Sequence, residues 1–378
     1  MKIGFVLDDS LDKTDGVQQY VTTLGKWLSR QGHEVHYLVG HTERRDIKNI
    51  HSLSRNLQVH FNQNRMSTPL PASRRKIREL LAQEDFDVLH VQMPYSPFLA
   101  GRVVRCAPKT TAIVGTFHIL PFSLLESVAT RVLAALLRPS RKRFDAVVSV
   151  SEPAQTFARK RFKTHSQVVP NVIDHGLFHS APKLNKYQDG MLNVVYLGRL
   201  VERKGCMHLL RAVAHLAERH ELQNTRVIIA GKGPLLPELE AYVHAHKLGR
   251  VVRFVGYVSE EDKPSLLASA HIAVLPSLGG ESFGIVLIEA MAAGAEVVLA
   301  GDNAGYRSVM HGHEGQVIDP TDTHAFAKLI KKFLYNPSVR QKAHRWQATR
   351  AHEYDVRIVG QTLLGIYKQA LRNKSDLR

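Results

Sequence analysis

Short apolar runs alternate, along almost the whole chain, with stretches in which apolar residues recur every three or four positions. The runs read as buried parallel strands and the periodic stretches as amphipathic helices. In the first half the pattern predicts strands at 2–7, 34–38, 88–91, 112–116 and 146–150. A helix over 17–30 puts Leu24, Trp27 and Leu28 on one face. In the second half it predicts strands at 193–197, 226–229, 252–255, 272–275 and 297–299. A helix over 207–220 carries Leu210, Val213, Ala214 and Ala217 on one face. Strand–helix alternation in both halves is the mark of an α/β chain with two doubly wound, Rossmann-like sheets.

The two patterns part near Pro170-Asn171-Val172-Ile173-Asp174 and the polar stretch 181–190, a Pro- and Gly-punctuated linker. The expected organisation is a first domain over 1–175, a second over 176–355 and a closing helix within 356–378, where 356–371 has helical periodicity and no strand after it. Ligands of doubly wound sheets bind beyond the carboxyl ends of the strands, so the site is expected in a cleft between the two domains.

Composition narrows the class. Of 378 residues, 44% are hydrophobic and 22% charged, enough for two cores of ordinary size. Cys106 and Cys206 suit a reducing cytoplasm better than a disulfide framework. The apolar run at 3–7 is followed by Asp8 and Asp9, as in a buried strand rather than a signal peptide. No apolar stretch reaches the roughly 18 residues of a membrane span. The net charge of +17 is uneven: residues 1–188 hold 27 Lys and Arg against 15 Asp and Glu, and residues 189–378 hold 24 against 19. Such a surface attracts anionic lipid, nucleic acid or acidic ligands. Aromatics are only 7%, with no base-stacking pattern, which argues against nucleic acid.

The most specific chemistry lies at 279–294. A strand-like run ends at Pro276, and Gly279-Gly280-Glu281-Ser282-Phe283-Gly284 then turns into a helical stretch containing Glu289. A loop opening a helix offers unpaired N–H groups and a positive dipole end to phosphate. Carboxylates accept hydrogen bonds from sugar hydroxyls. Together they describe a nucleotide-sugar site.

This segment resembles the Glu-x7-Glu signature of retaining family 4 glycosyltransferases of the GT-B fold, in the spelling found in bacterial phosphatidylinositol mannosyltransferases. The resemblance extends over nearly the whole chain. It implies that Glu281 contacts the donor sugar and Glu289 the nucleotide ribose, and that Phe283, Gly284, Ile285 and Val286 belong to the donor site, the last three offering backbone N–H groups to phosphate. An internal Glu on an otherwise apolar helix requires a partner in any case. Gly198-Arg199-Leu200-Val201-Glu202-Arg203-Lys204-Gly205 is similar to the family's basic loop, with Arg199 and Lys204 at the positions that grip the donor diphosphate. Fixed cations there stabilise the leaving group as its charge develops. The resemblance implies no tightly bound cofactor and no metal in the donor site. Gly16 matches the second glycine of the N-terminal Gly-Gly loop; Asp15 replaces the first. Gly231-Lys232-Gly233-Pro234 lacks the third glycine of a dinucleotide fingerprint and reads as a loop near the nucleotide.

On the acceptor side, His118 in Thr116-Phe117-His118 matches the histidine that orients the transferred sugar. His90 is present in the second strand motif, but Gln92 stands in place of a frequent second histidine. Gln18 matches a position that meets the inositol ring. Asp9 and Ile119 fall at acceptor positions where the similar enzymes carry an aromatic and a Thr. Two segments suit a membrane surface: the basic cluster Arg74, Arg75, Lys76 and Arg78 opening a helix that ends near Leu81, and an apolar stripe over 122–137 followed by Arg138, Arg141, Lys142 and Arg143.

The expectation is a cytoplasmic enzyme, peripheral on the inner face of the cell membrane, with no nucleic-acid partner and no obligate protein partner. It moves mannose from GDP-mannose to a phosphatidylinositol-like lipid with retention of configuration. The alternatives are a UDP-sugar-dependent transferase to another glycolipid or a polysaccharide precursor, and a nucleotide-sugar epimerase of the same fold.

Overall fold

The computed structural model describes residues 1–12, 15–54, 56–61, 64–69, 72–118 and 138–375, with backbone only for 56–61, 64–69 and 138–139. The chain forms two compact units, one of Met1–Val172 with Val356–Arg378, the other of Ile173–Asp355.

In the first unit the strands are β1 (Lys2–Val6), β2 (Glu34–Gly40), β3 (Ile50–Ser54), the antiparallel hairpin β4 (Asn56–Phe61) and β5 (Asn64–Pro69), β6 (Val88–Val91), β7 (Ala112–Phe117), β8 (Ala146–Ser149) and β9 (Gln167–Val168). Seven of them make an all-parallel sheet in the order β3-β2-β1-β6-β7-β8-β9. β6 and β7 are buried on both faces, which is why they read as mainly apolar runs. The Gly16–Arg30 and Val356–Ser375 helices cover one face, sharing a core of Leu24, Trp27, Leu28, Val359, Leu363 and Tyr367. The Arg74–Glu84 and Leu99–Cys106 helices cover the other through Ile77, Leu81, Val103 and Val104.

The second unit contains β10 (Leu192–Leu197), β11 (Thr225–Ala230), β12 (Val252–Gly256), β13 (Ile272–Leu275), β14 (Val297–Gly301) and β15 (Val317–Ile318), all parallel in the order β12-β11-β10-β13-β14-β15. The Cys206–Glu218 and Thr323–Leu334 helices pack on one face through Leu209, Leu210, Val213, Phe326, Ile330 and Phe333. The apolar Ile285–Ala292 helix packs with Pro337–His352 against β14.

In both sheets the winding reverses direction once, between β1 and β6 and between β10 and β13. Such a switch point splays the following loops apart and opens a crevice at the carboxyl ends of the two central strands. Four strand segments escape the apolar-run pattern: β3, the hairpin, β9 and β15. β3 is an edge strand of sequence Ile-His-Ser-Leu-Ser, half-exposed, and β9 and β15 have two residues each. An edge strand has one neighbour and needs little apolar surface. The basic helix runs to Glu84, three residues past its predicted end, because Asp85 in the left-handed region (φ 45°) closes it only there. Ser73 caps its start by accepting from the Lys76 N–H.

Candidate active site

In the second unit, the loops after β10 and β13 flank the switch point. The loop after β10 carries Arg203 and Lys204, and the loop after β13 carries Ser277 and Glu281. Arg203 Nη1 donates to Glu281 Oε1 over 2.7 Å, Lys204 Nζ over 2.8 Å and Ser277 Oγ over 2.8 Å. All three bonds fall on one oxygen. Burial works against the Glu281 carboxylate, but Lys204 and Arg203 outweigh it and hold the group down at about 2. Burial lowers the Lys204 ammonium, against the pull of Glu281, and the Arg203 and Arg199 charges press the same way. Arg199, half-buried, completes the cationic edge and accepts at its carbonyl from the Tyr196 hydroxyl over 3.0 Å.

The glycines around this loop hold backbone against backbone. A Cβ on Gly231 (φ 147°) would stand 1.8 Å from the Gly198 carbonyl oxygen, and one on Gly233 2.2 Å from that of Leu200. The Leu200 N–H donates to the Lys232 carbonyl over 2.9 Å. Gly-x-Gly here braces the basic loop from below. Gly284 (φ 109°) starts the Ile285–Ala292 helix, and a Cβ on it would meet the Tyr306 ring at 2.5 Å. Its N-cap, Gly284, has no side chain to accept from the first N–H groups, which belong to the partly exposed Ile285 and Val286. Phe283 turns its ring inward, edge-on to Tyr354 at 5.3 Å, so that only its backbone lies toward the loop.

Glu289 lies inside the helix, and its partner comes from the chain itself. Lys263, from the Lys263–Ala268 helix, donates to Glu289 Oε1 over 2.6 Å and also pairs with Glu260 at 2.6 Å. Burial raises the Glu289 carboxyl in spite of Lys263. The need for a partner was legible in the sequence; Lys263, 26 residues away, was not. Arg203 was missed as well, although it directly precedes Lys204.

In the first unit, the carboxyl ends of β1, β6 and β7 gather Asp8, Asp9, Gln92 and His118. Asp9 and Gln18 are buried and tied to the same turn. The Ser10 N–H donates to Asp9 Oδ1 over 2.7 Å, and Gln18 Nε2 donates to the Ser10 carbonyl over 3.2 Å. His118 Nε2 lies 2.9 Å from Gln92 Oε1, and burial pushes its pKa down to about 3. His90, wholly buried, meets Thr116 Oγ1 and the Tyr367 hydroxyl, each at 2.6 Å. Gly16 is the exposed first residue of its helix, and Asp15 before it has ordinary extended backbone (φ −73°), so the missing glycine creates no strain there. Ile119 and the stripe over 122–137 lie outside the described residues.

Asp8 is a further buried acid that sequence reasoning missed. It accepts from the Ser96 hydroxyl and from the Ala100 N–H at 2.5 Å, while burial raises it from 3.8 to about 6. Between those values the folded chain holds a proton that the unfolded chain has lost. Rising pH therefore removes about 3 kcal/mol of stability across that window. Glu281 acts with the opposite sign: its contribution is present above 4.5 and is lost as pH falls toward about 2. Asp8→Asn, compared with the native chain by thermal unfolding between pH 4 and 6, should lack the Asp8 slope. An equal slope in both proteins would contradict the assignment.

Two other carboxylate groupings have structural partners. In the triplet Asp85-Phe86-Asp87, Asp85 closes a helix and Asp87 accepts from the Lys2 N–H over 2.7 Å. Among the described residues one trio of metal-binding types occurs, His36, His51 and Glu84. There the imidazoles bond each other at 2.9 Å and Lys2 Nζ sits 3.2 Å from Glu84, so the polar atoms already satisfy one another.

Two doubly wound units, with a cation-held glutamate at the switch point of one and a half-buried histidine at the strand ends of the other, define a GT-B glycosyltransferase. Residues 14–177 match the profile described as Glycosyltransferase Family 4, and residues 182–351 that of Glycosyl transferases group 1. The chain is 32% identical to the phosphatidyl-myo-inositol mannosyltransferase of Mycolicibacterium smegmatis, over 97% of this chain and 94% of that protein. It therefore belongs to this glycosyltransferase family. Over 47% of its length it is also 31% identical to 45% of an alpha-D-kanosaminyltransferase of Streptomyces kanamyceticus. Among solved structures, Anabaena HepE in complex with UDP and glucose shares the fold, with a TM-score of 0.74, 18% identity, and 97% of this chain and 99% of that one covered. So does a glycosyltransferase of Rickettsia africae, with a TM-score of 0.77, 16% identity, and 98% and 99% covered.

Proposed function

We propose that this glycosyltransferase moves mannose from GDP-mannose to a phosphatidylinositol-like lipid, with retention at the anomeric carbon. The carrying observation is the placement of Arg203 and Lys204 on one oxygen of Glu281, four residues before the start of the Ile285–Ala292 helix. Lys204, lowered by burial, regains a favourable field when a diphosphate binds. Glu281 turns its other oxygen to the sugar hydroxyls. As the bond from the sugar carbon to the diphosphate oxygen breaks, the developing charge falls among Arg199, Arg203, Lys204 and the helix N–H groups. The acceptor hydroxyl forms the new bond to that carbon, and its proton passes to the departing diphosphate. These cations do the work that a metal does elsewhere, and the site is read without a resident cofactor. The choice of mannose and of an inositol lipid is supported by the name of the mycobacterial relative.

The enzyme is further proposed to work from the cytoplasmic face of the membrane as a peripheral protein. No described helix is long and apolar enough to cross a membrane. The Arg74–Glu84 helix buries Ile77 and Leu81 and leaves Arg74, Arg75, Lys76 and Arg78 exposed. Each basic residue near an anionic surface contributes about 1 kcal/mol. Replacing all four by Gln should lower partition onto phosphatidylinositol vesicles by about 100-fold or more at low salt, read by co-sedimentation. Unchanged partition would remove this helix from the membrane surface.

The function is tested by incubating the protein with such vesicles and either GDP-mannose or UDP-glucose, then analysing the lipids by mass spectrometry and the product anomer by NMR. The expected product is an α-mannosyl inositol lipid. A UDP-dependent product would replace the donor, and free epimerised sugar without glycolipid would replace the reaction.

A further inference from the structure

Ser277, the second residue after β13, is buried, and its backbone is fixed from both sides. Its N–H donates to the Leu275 carbonyl over 3.0 Å, and its own carbonyl accepts from Asn303 Nδ2 over 3.0 Å. A Cβ on Gly301 would stand 2.3 Å from that carbonyl oxygen, so the end of β14 packs directly on it. The hydroxyl on this backbone has one proton to give. Three acceptors stand within reach: Glu281 Oε1 at 2.8 Å, the Arg203 carbonyl at 3.0 Å and the Gly279 carbonyl at 3.5 Å. The Gly279 oxygen is at the outer limit of a hydrogen bond. The Arg203 oxygen already accepts from the Leu278 N–H over 2.8 Å. The carboxylate, charged and nearest, takes the proton. The buried Tyr306 hydroxyl also acts on Ser277, and it carries a proton of its own that the serine oxygen can accept. Of the three donors to Glu281 Oε1, Arg203 and Lys204 are cations and Ser277 is neutral.

We propose that Ser277 is a positioning residue that keeps Glu281 Oε1 in place when a bound diphosphate draws Arg203 and Lys204 toward itself, so that Oε2 stays on the hydroxyls of the transferred hexose. This rests on the reading of Glu281 as the residue that touches the donor sugar. A diphosphate competes with the carboxylate for both cations, because each is attracted by any nearby negative charge. A neutral hydroxyl fixed on a packed backbone feels no such pull and remains with the carboxylate. The glutamate therefore keeps its aim in the loaded site, where its two charged donors have a second anion to serve. Ser277 touches neither sugar nor phosphate in this arrangement; it acts through Glu281.

The test is a double-mutant cycle on the full chain, made of Ser277→Ala, Glu281→Ala and the two together. Turnover is measured on phosphatidylinositol vesicles with whichever of GDP-mannose and UDP-glucose supports transfer, and binding of the matching nucleoside diphosphate by calorimetry. Ser277→Ala should lower kcat by about 10- to 100-fold, the scale of one hydrogen bond to a charged group, and change diphosphate affinity by less than about twofold. In the Glu281→Ala background the same substitution should cost less than about twofold more, because its target is gone. A merely structural serine would weaken diphosphate binding as well and lower turnover equally in both backgrounds. Ser277→Cys, close in shape but a weak donor, should behave as Ser277→Ala does and serves in its place if thermal unfolding shows that the alanine variant does not fold. Native kcat in folded Ser277→Ala or Ser277→Cys, or an equal loss in both backgrounds, would overturn the proposal. Full transfer by Glu281→Ala would instead overturn the sugar contact on which the proposal rests.

Discussion

Glu281→Ala is expected to cut hexosyl transfer by about 100- to 1,000-fold while leaving the fold in place, the scale seen when one preorganised polar contact to a transition state is removed. Glu281 accepts three hydrogen bonds on one oxygen and keeps Arg203 and Lys204 aimed at the mouth of the loop. Without the carboxylate, two adjacent cations lose the counter-charge they share. Nucleoside diphosphate supplies that charge, so its binding should persist or tighten. The loss should therefore appear in kcat, and the separation of turnover from diphosphate binding marks a residue that acts on the sugar. Steady-state kinetics with calorimetry on the same preparation checks this. Unchanged turnover would dismiss the donor assignment.

The second large effect concerns stability. Lys263→Met leaves the Glu289 carboxylate buried, at 4% exposure, without its cation. Breaking a buried pair from one side costs about 3–5 kcal/mol. For a unit of this size that corresponds to a fall in Tm of about 6–20 °C. Glu289→Gln in the same chain removes the stranded charge and should recover most of the loss, because the penalty comes from the unpaired carboxylate. Differential scanning calorimetry of the single and double variants measures it. Equal Tm values for Lys263→Met and the native protein would show that the pair does not hold the Ile285–Ala292 helix.

What could be read from the sequence follows from burial. β1, β6, β7, β10, β13 and β14 lie inside their sheets and are buried on both faces, so each leaves a mainly apolar run, broken only by buried polar residues such as His90, Thr116 and Asn193. β3 and β15 lie at edges and carry little apolar signal. The Glu-x7-Glu segment located Glu281, but the side chain that shares its oxygen with Lys204 is Arg203, 78 positions earlier in the chain. Local spacing carries no record of such a contact. The same holds for Glu289: burying a carboxylate predicts a partner of opposite charge, and only the folding of Lys263–Ala268 against its helix identifies which one. In the sequence Asp8, beside Asp9, marks only the end of the apolar run at 3–7. The Ser96 hydroxyl and the Ala100 N–H that hold it come from a segment about ninety residues away.

The proposed transfer requires a nucleoside diphosphate to bind at the β10–β13 switch point. Calorimetric titration of the full chain with GDP and UDP, beside Lys204→Ala, tests this most directly. The expected result is binding of GDP in preference to UDP, weakened by about 10- to 100-fold in Lys204→Ala through loss of one charge-assisted hydrogen bond. Binding of neither nucleotide, with vesicles present or absent, or equal affinity in Lys204→Ala, would contradict it.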